Sequence, residues 1–342
     1  MSITEQSPDA GIVADPNWLA HRYDPDHDAV HFIRADRSAR AEVPFLVDAE
    51  LKPGAPIILR RQDITPSIDR ARPVHFMFHS AYCCSTLLAR AFDLPGVASA
   101  LKEPQILNDL VGWRHRGGAP RMIAPVLTDA IDLLARPFER SEATIIKPSN
   151  VVNGLIEPIL GLYQDARAVL LHAPLRAFVT SIARKEMWGR LWVRELLSKQ
   201  LLDGLVDLGF EQRDYLLLTD LQVAAVGWLA QQALFGRLTA AAPTRIRMID
   251  SERLIAVPHL VIARIATLFD LTLNEAAVAD IVTREFGREA KAGGTFVPGA
   301  RETARAKGEA MHRDEIDKVI DWAEAVAKNA GVPIAPPSSY YL

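Results

Sequence analysis

The feature that most constrains this chain is a rhythm. A short, strand-like run is followed by a turn and then by apolar residues at helical spacing. The runs VHFMF (74–78), which is continuously apolar, ATIIK (143–147), ARAVLLH (166–172) and TRIRMI (244–249) each end at a turn or a polar residue. An unbroken apolar run of that length reads as a strand buried on both faces, which is the habit of parallel sheets. Between the runs the spacing changes to that of helices. Leu87, Leu88, Ala91 and Phe92 share one stripe, as do Ile316, Val319, Ile320 and Ala323 near the end of the chain. Strands alternating with helices predict an α/β fold: a central parallel sheet with helices on both faces, three layers in all.

Composition removes several functional classes. The 342 residues are 49% hydrophobic and 24% charged, with a net charge of −3. No single-sign field covers such a chain, so nucleic acid is not an expected partner, and any anion site must be built locally. The opening residues are acidic and turn-rich, without the pattern of a signal peptide. The most apolar windows are interrupted by Gln, His, Arg or Pro, so no membrane partner is expected and the expected location is cytoplasmic. The composition leaves a homo-oligomer open. Residues 1–72, rich in Asp, Arg and Pro, read as an N-terminal extension. Its strand-like runs AVHFI, VPFLV and PIILR suggest a small β element. Residues 73–331 form the main domain, in which 185–240 is a helical, aromatic insert, and 332–342 read as a tail after it.

The turn after VHFMF carries the first candidate site. HSAYCCSTLLARAF is a strand end, a tight turn and a helix opening on Ser85 and Thr86, the layout of a loop that cradles phosphate. Backbone N–H groups there bind an anion without net charge, and the two hydroxyls cap the helix or bond phosphate oxygens. The nucleoside-triphosphate pattern GxxxxGK[ST] is absent, which disfavours an ordinary ATPase or GTPase. Both cysteines, Cys83 and Cys84, lie in this turn. A helix N-terminus lowers a thiol pKa, which invites a redox or metal reading. Adjacent side chains point apart, however, and no further ligands lie at metal-site spacing, so thiols that fill the turn are the better account and no metal is expected. Lys147, which ends an apolar strand, must reach solvent or an anion.

The turn resembles the donor loop of the sulfotransferase family of the P-loop fold, where PKSGTT or GRCGST holds the phosphosulfate of 3′-phosphoadenosine 5′-phosphosulfate. The matching residues are Ala81-Tyr82-Cys83-Cys84-Ser85-Thr86, preceded by Ser80. Further pieces follow in the family's order. ATIIKPSN is similar to the strand whose lysine contacts the transferring sulfuryl group. VLLHAPLRAFVTSIAR is similar to the segment whose Arg and Ser bind the 3′-phosphate, MIDSERLIAVPHLVIARIATLFDL to a later strand, proline turn and helix, and KAGGTFVPGAR to a basic loop over the nucleotide.

The resemblance, which spans Pro73 to Gly331, implies a three-layer P-loop fold and transfer of a sulfuryl group to a small hydroxyl or amine acceptor. It makes Lys147 the residue that stabilises the transferring group and Glu103, in ALKEP, the base. It implies donor contacts from Ser80, Ala81, Tyr82, Cys83, Cys84, Ser85 and Thr86, from His172, Arg176 and Thr180, and from Lys291 and Arg301. The chain departs from the pattern at several points. Tyr82 stands where the family has Lys or Arg, Cys84 where it has glycine, His172 where it has arginine, and Ser149 where animal cytosolic members have a catalytic histidine. Two other readings stay open: a non-catalytic member that binds a nucleotide or anion, and a phosphotransferase with another donor. Plainer roles stand beside the catalytic ones. Glu103 pairs with Lys102, Arg114 or Arg116, or caps the helix after Pro104. Arg176 and Arg184 solvate a helix face. Trp188, Trp192 and Trp228 pack the core.

Overall fold

The computed structural model describes residues 8–70, 72–286 and 300–342. Three strands, β1 (Trp18–Asp24), β2 (Ala29–Arg34) and β3 (Ile57–Arg60), form an antiparallel sheet in that order. Five more, β4 (Val74–His79), β5 (Ala98–Lys102), β6 (Ala143–Lys147), β7 (Ala168–His172) and β8 (Ile246–Asp250), form a second sheet in the order β5-β6-β4-β7-β8. The β4–β6, β5–β6 and β7–β8 pairs are all parallel, so this is an α/β fold with a parallel sheet flanked by helices. Every residue of β4, β5, β6 and β7 is buried, as expected of strands covered on both faces.

The periodicity missed two strands and overstated one. β1 interleaves His21, Arg22 and Tyr23 with its apolar residues, and β5 is a five-residue edge strand carrying Ser99 and Lys102. VPFLV forms no strand. Pro44 has no N–H for a ladder. The segment is held instead by Lys102 Nζ, which donates to Val43 O (2.6 Å), and by Leu46 N, which donates to Lys102 O (2.7 Å).

By contact the chain divides into two units, Met1–Met77 with Thr86–Arg167 and Phe269–Thr272, and Phe78–Ser85 with Ala168–Leu268 and Leu273–Leu342. In the first, the antiparallel sheet packs on the helices Gln105–His115 and Pro120–Leu134. Charge does much of the fastening. The buried Arg136 guanidinium donates to Val13 O (2.8 Å) and to the Ile12 and Asp15 carbonyls (both 3.1 Å), and burial pulls its pKa down to about 9. Asp129, from the second helix, accepts from Arg61 (2.9 Å) and Arg70 (2.6 Å). Buried carboxylates persist only with such partners.

The second unit is built around the helix Asp220–Ala241, opened by a capping box between Thr219 and Gln222. It packs against Leu175–Ala183, Glu186–Leu202 and Ala300–Ala330. Trp228 is fully buried and donates Nε1–H to Ala173 O (2.9 Å). Gly189 permits a close approach: a Cβ there would lie 2.6 Å from Ile182 O. The last helix bends at His312 and buries Ile316, Val319, Ile320 and Ala323.

Candidate functional site

The turn that follows β4 adopts a conformation its residues do not favour. Ala81 (φ 72°), Tyr82 (φ 53°) and Cys84 (φ 62°) all lie on the left-handed side, with no glycine among them. Each L-residue held there costs on the order of 1 kcal/mol. The backbone is tied at its start by Ser80 N, which donates to Leu171 O (3.0 Å), and by Ala81 N, which donates to His79 Nδ1 (3.1 Å). Turns of this kind point successive N–H groups into a common concavity, which suits an anion. Ser80, Ser85 and Thr86 are buried. Cys83 is buried, Cys84 half-buried, and neither is in a disulfide. Among the described residues no group of three or more His, Cys, Asp or Glu is placed to hold a metal ion.

Tyr82 points into an aromatic cluster. Its ring meets Trp192 edge-on (5.5 Å, 88°) and Phe178 at 6.1 Å, and Trp192 stacks on Trp188 at 6.4 Å. Burial pushes the Tyr82 hydroxyl up to about 12, so at neutral pH the ring is uncharged. Trp188 itself is 60% exposed, which corrects the expectation that it packs the core. An amphipathic helix turn brings Met187, Trp188 and Leu191 to the surface together.

Lys147 and Glu103 meet. Lys147 ends β6 with no solvent exposure, and its ammonium is hydrogen-bonded and ion-paired to the Glu103 carboxylate. The Phe45 ring lies 5.2 Å from the same nitrogen, a favourable place for a cation. Glu103 sits just past β5, at φ 53°, and donates its N–H to Lys147 O (2.6 Å). The left-handed backbone turns its side chain back toward the lysine instead of onward along the strand. Of the plainer partners, Lys102 bonds the Ala41 and Val43 carbonyls, and Arg114 bonds Gly154 O (2.8 Å). Beyond Lys147, Ser149 Oγ donates to Asn108 Oδ1 (2.8 Å), and the buried Asn150 Nδ2 has no hydrogen-bond partner among the described residues.

His172 ends β7, buried between two partners. Gln232 Nε2 donates to its Nδ1 (2.8 Å), so the proton of the neutral ring lies on Nε2, which faces Tyr341 Oη at 3.1 Å. Burial lowers the His172 pKa, and the charge of Asp250 opposes that only in part. The imidazole is therefore neutral at pH 7. Thr180 is fully buried and its Oγ1 has no hydrogen-bond partner among the described residues. The Arg176 guanidinium bonds Glu309 (3.1 Å) and Asp317 (2.8 Å) on the last helix, which accounts for its charge without a ligand. Lys291 and the Arg301 side chain lie outside the described residues.

No protein-family model matches the chain, and no curated protein matches it. Several solved structures are similar to it. A sulfotransferase domain from the curacin biosynthetic pathway is 12% identical, over 66% of this chain and 82% of that one, with a TM-score of 0.43. A sulfotransferase from Mycobacterium avium is 13% identical over 73% and 80%, with a TM-score of 0.42. One from Mycobacterium tuberculosis H37Rv is 15% identical over 67% and 78%, with a TM-score of 0.41. Among the described residues no helix is long and apolar enough to cross a membrane.

Proposed function

We propose that the protein is a transferase that moves a sulfuryl group from 3′-phosphoadenosine 5′-phosphosulfate to a small hydroxyl or amine acceptor. The observation that carries this reading is the Lys147–Glu103 pair: a buried ammonium held by a carboxylate on a left-handed backbone. Transfer of this kind needs charge placed along the displacement axis more than it needs covalent help from the protein. Lys147 supplies that charge to the sulfuryl oxygens. Glu103 accepts the acceptor's proton as its oxygen or nitrogen bonds to sulfur and the bond from sulfur to the bridging phosphate oxygen breaks. While the two side chains are paired, the carboxylate is a weak base. An anionic group that draws on the ammonium makes it a stronger one.

The turn from Ser80 to Thr86 is assigned the donor's phosphate, and its three left-handed residues are the feature that suits it. Its residues supply backbone N–H groups and hydroxyls, and Tyr82 supplies no cation. His172, Thr180, Arg176, Lys291 and Arg301 are assigned the nucleotide on the resemblance alone.

A thermal-shift titration tests the donor. 3′-Phosphoadenosine 5′-phosphate should raise the melting temperature in proportion to RT ln(1 + [L]/Kd). A shift with ATP and Mg²⁺ in its place would turn the reading to a phosphotransferase. Lys147→Ala should lower turnover on a panel of phenol, alcohol and amine acceptors by about 10²–10³. Undiminished turnover in that variant would remove Lys147 from the chemistry. One observation favours a second reading, that of a non-catalytic anion-binding protein. Tyr82 is neutral and packed on Trp192 and Phe178 where the resemblance calls for a cation. Binding of the nucleotide with no transfer to any acceptor would select it.

A further inference from the structure

In the second unit, a cavity of about 700 Å³ opens between the helix Asp220–Ala241 and the chain after Ala330. That volume falls within the roughly 300–1,000 Å³ of small-molecule sites. Its buried lining comes from Leu208, Ala230, Leu234, Val332 and Gln232, and its exposed rim includes Asp207 and Arg237. None of the turn residues 80–86 lines it.

Two independent observations point to a ligand. Gln232 is 2% exposed, and its Oε1 has no hydrogen-bond partner among the described residues, although its Nε2 is committed to His172 Nδ1. A buried acceptor left unpaired is costly, and a donor that reaches it recovers that cost. Gly236 lies within the same long helix, where glycine is the weakest helix former after proline, yet a Cβ built on it would meet nothing within 4 Å. No neighbouring side chain requires glycine there. The helix backbone is left bare against the cavity.

We propose that this cavity binds a small, uncharged phenol or apolar alcohol. Its hydrocarbon lies on Leu208, Leu234, Val332 and the bare backbone at Gly236, and its hydroxyl donates to Gln232 Oε1. The rim charges of Asp207 and Arg237 are opposite in sign and select no net charge. Oε1 is shielded from solvent, so the ligand reaches it by turning the amide about its last torsion, which loosens the bond from Nε2 to His172 Nδ1. That rotation moves Nε2 as well, so occupancy is read at His172.

The test uses the full chain and two probes, 2-naphthol and 2-methoxynaphthalene, titrated by ligand-observed NMR and calorimetry. They share a hydrocarbon, and only the first carries a donor. The proposal expects saturable one-to-one binding of 2-naphthol, at least tenfold weaker binding of the ether, and a shift of the His172 ring resonances on saturation with 2-naphthol. Gly236→Leu fills the cavity from an open position and should abolish binding with no fall in melting temperature. Equal affinity for the two probes, absence of saturable binding, unmoved His172 resonances, or unchanged binding in Gly236→Leu would each overturn the proposal. The probe comparison in the unmodified protein decides the matter even where a variant folds poorly.

Discussion

Lys147 and Glu103, 44 positions apart in sequence, are bound to each other twice: side chain to side chain, and through the Glu103 N–H donated to Lys147 O. Lys147 has no solvent exposure and Glu103 retains 18%, so removing the carboxylate takes a charge partner from a buried ammonium. Glu103→Ala should destabilise the protein by about 3 kcal/mol, the lower end of what breaking a buried pair costs, because Glu103 is partly solvated. The double variant Lys147→Met with Glu103→Gln should recover most of that, since an apolar replacement of similar volume removes the stranded charge. Urea unfolding of the two variants measures both. A double variant as unstable as Glu103→Ala would mean that the pair contributes packing and not charge.

That pair also marks how far the sequence could be read. The apolar runs at β4, β6 and β7 announced a parallel sheet, because burial on both faces leaves little room for polar alternation, and β8, which carries Arg247, was legible from its place before a helix. β1 and β5 gave no such signal, because polar residues interrupt both: His21, Arg22 and Tyr23 in one, Ser99 and Lys102 in the other. Lys147 stood out at its strand end, and the resemblance named Glu103. That the two bind each other did not show, because pairing across 44 residues depends on strand order, which no local pattern encodes. The left-handed backbones at Ala81, Tyr82, Cys84 and Glu103 were equally hidden, since none of these residue types advertises that conformation. The exposure of Trp188 follows from which face of Glu186–Leu202 meets Asp220–Ala241, again a tertiary fact.

The strained turn gives a prediction of its own. Cys84 holds φ 62° and is half-buried. Cys84→Gly removes the steric conflict of a Cβ there but adds freedom to the unfolded chain, so the net gain should be at most about 1 kcal/mol. Alanine at the same position keeps the strain and should show no gain. Chemical denaturation of the two variants separates them. If glycine destabilised the fold, the Cys84 thiol would have to make contacts worth more than the strain.

His75 makes stability depend on pH. Burial, with the nearby charge of Arg167, drops its pKa from 6.5 to about 4. Between those values the unfolded chain takes up a proton that the folded chain refuses. Stability is therefore fully present above about pH 6.5 and is lost as pH falls toward 4. The loss amounts to about 3 kcal/mol on a scale of 1.36 kcal/mol per unit. His172 and His21, also lowered by burial, act in the same direction. His75→Phe keeps a ring against Phe269, on which His75 stacks at 4.9 Å, and loses the acceptor for Arg167 N–H. It should be less stable at pH 7 and show a flatter decline to pH 4.5. A decline as steep as that of the unmodified protein would assign the acid sensitivity to other groups.

Two helical glycines should respond in opposite ways to the same substitution. At Gly189 an alanine Cβ would sit 2.6 Å from Ile182 O and 2.7 Å from Lys185 Cβ, so backbone must move. The helix-propensity gain of about 1 kcal/mol is outweighed there, and Gly189→Ala should destabilise by about 1–3 kcal/mol. At Gly236 nothing lies within 4 Å, so Gly236→Ala should keep the propensity gain and stabilise by about 1 kcal/mol. Parallel melting curves of the two variants make the comparison. Because both substitutions add the same methyl group to a helix, a difference in sign isolates the close approach of Glu186–Leu202 to the end of Leu175–Ala183. A matching sign would show that this approach relaxes at little cost.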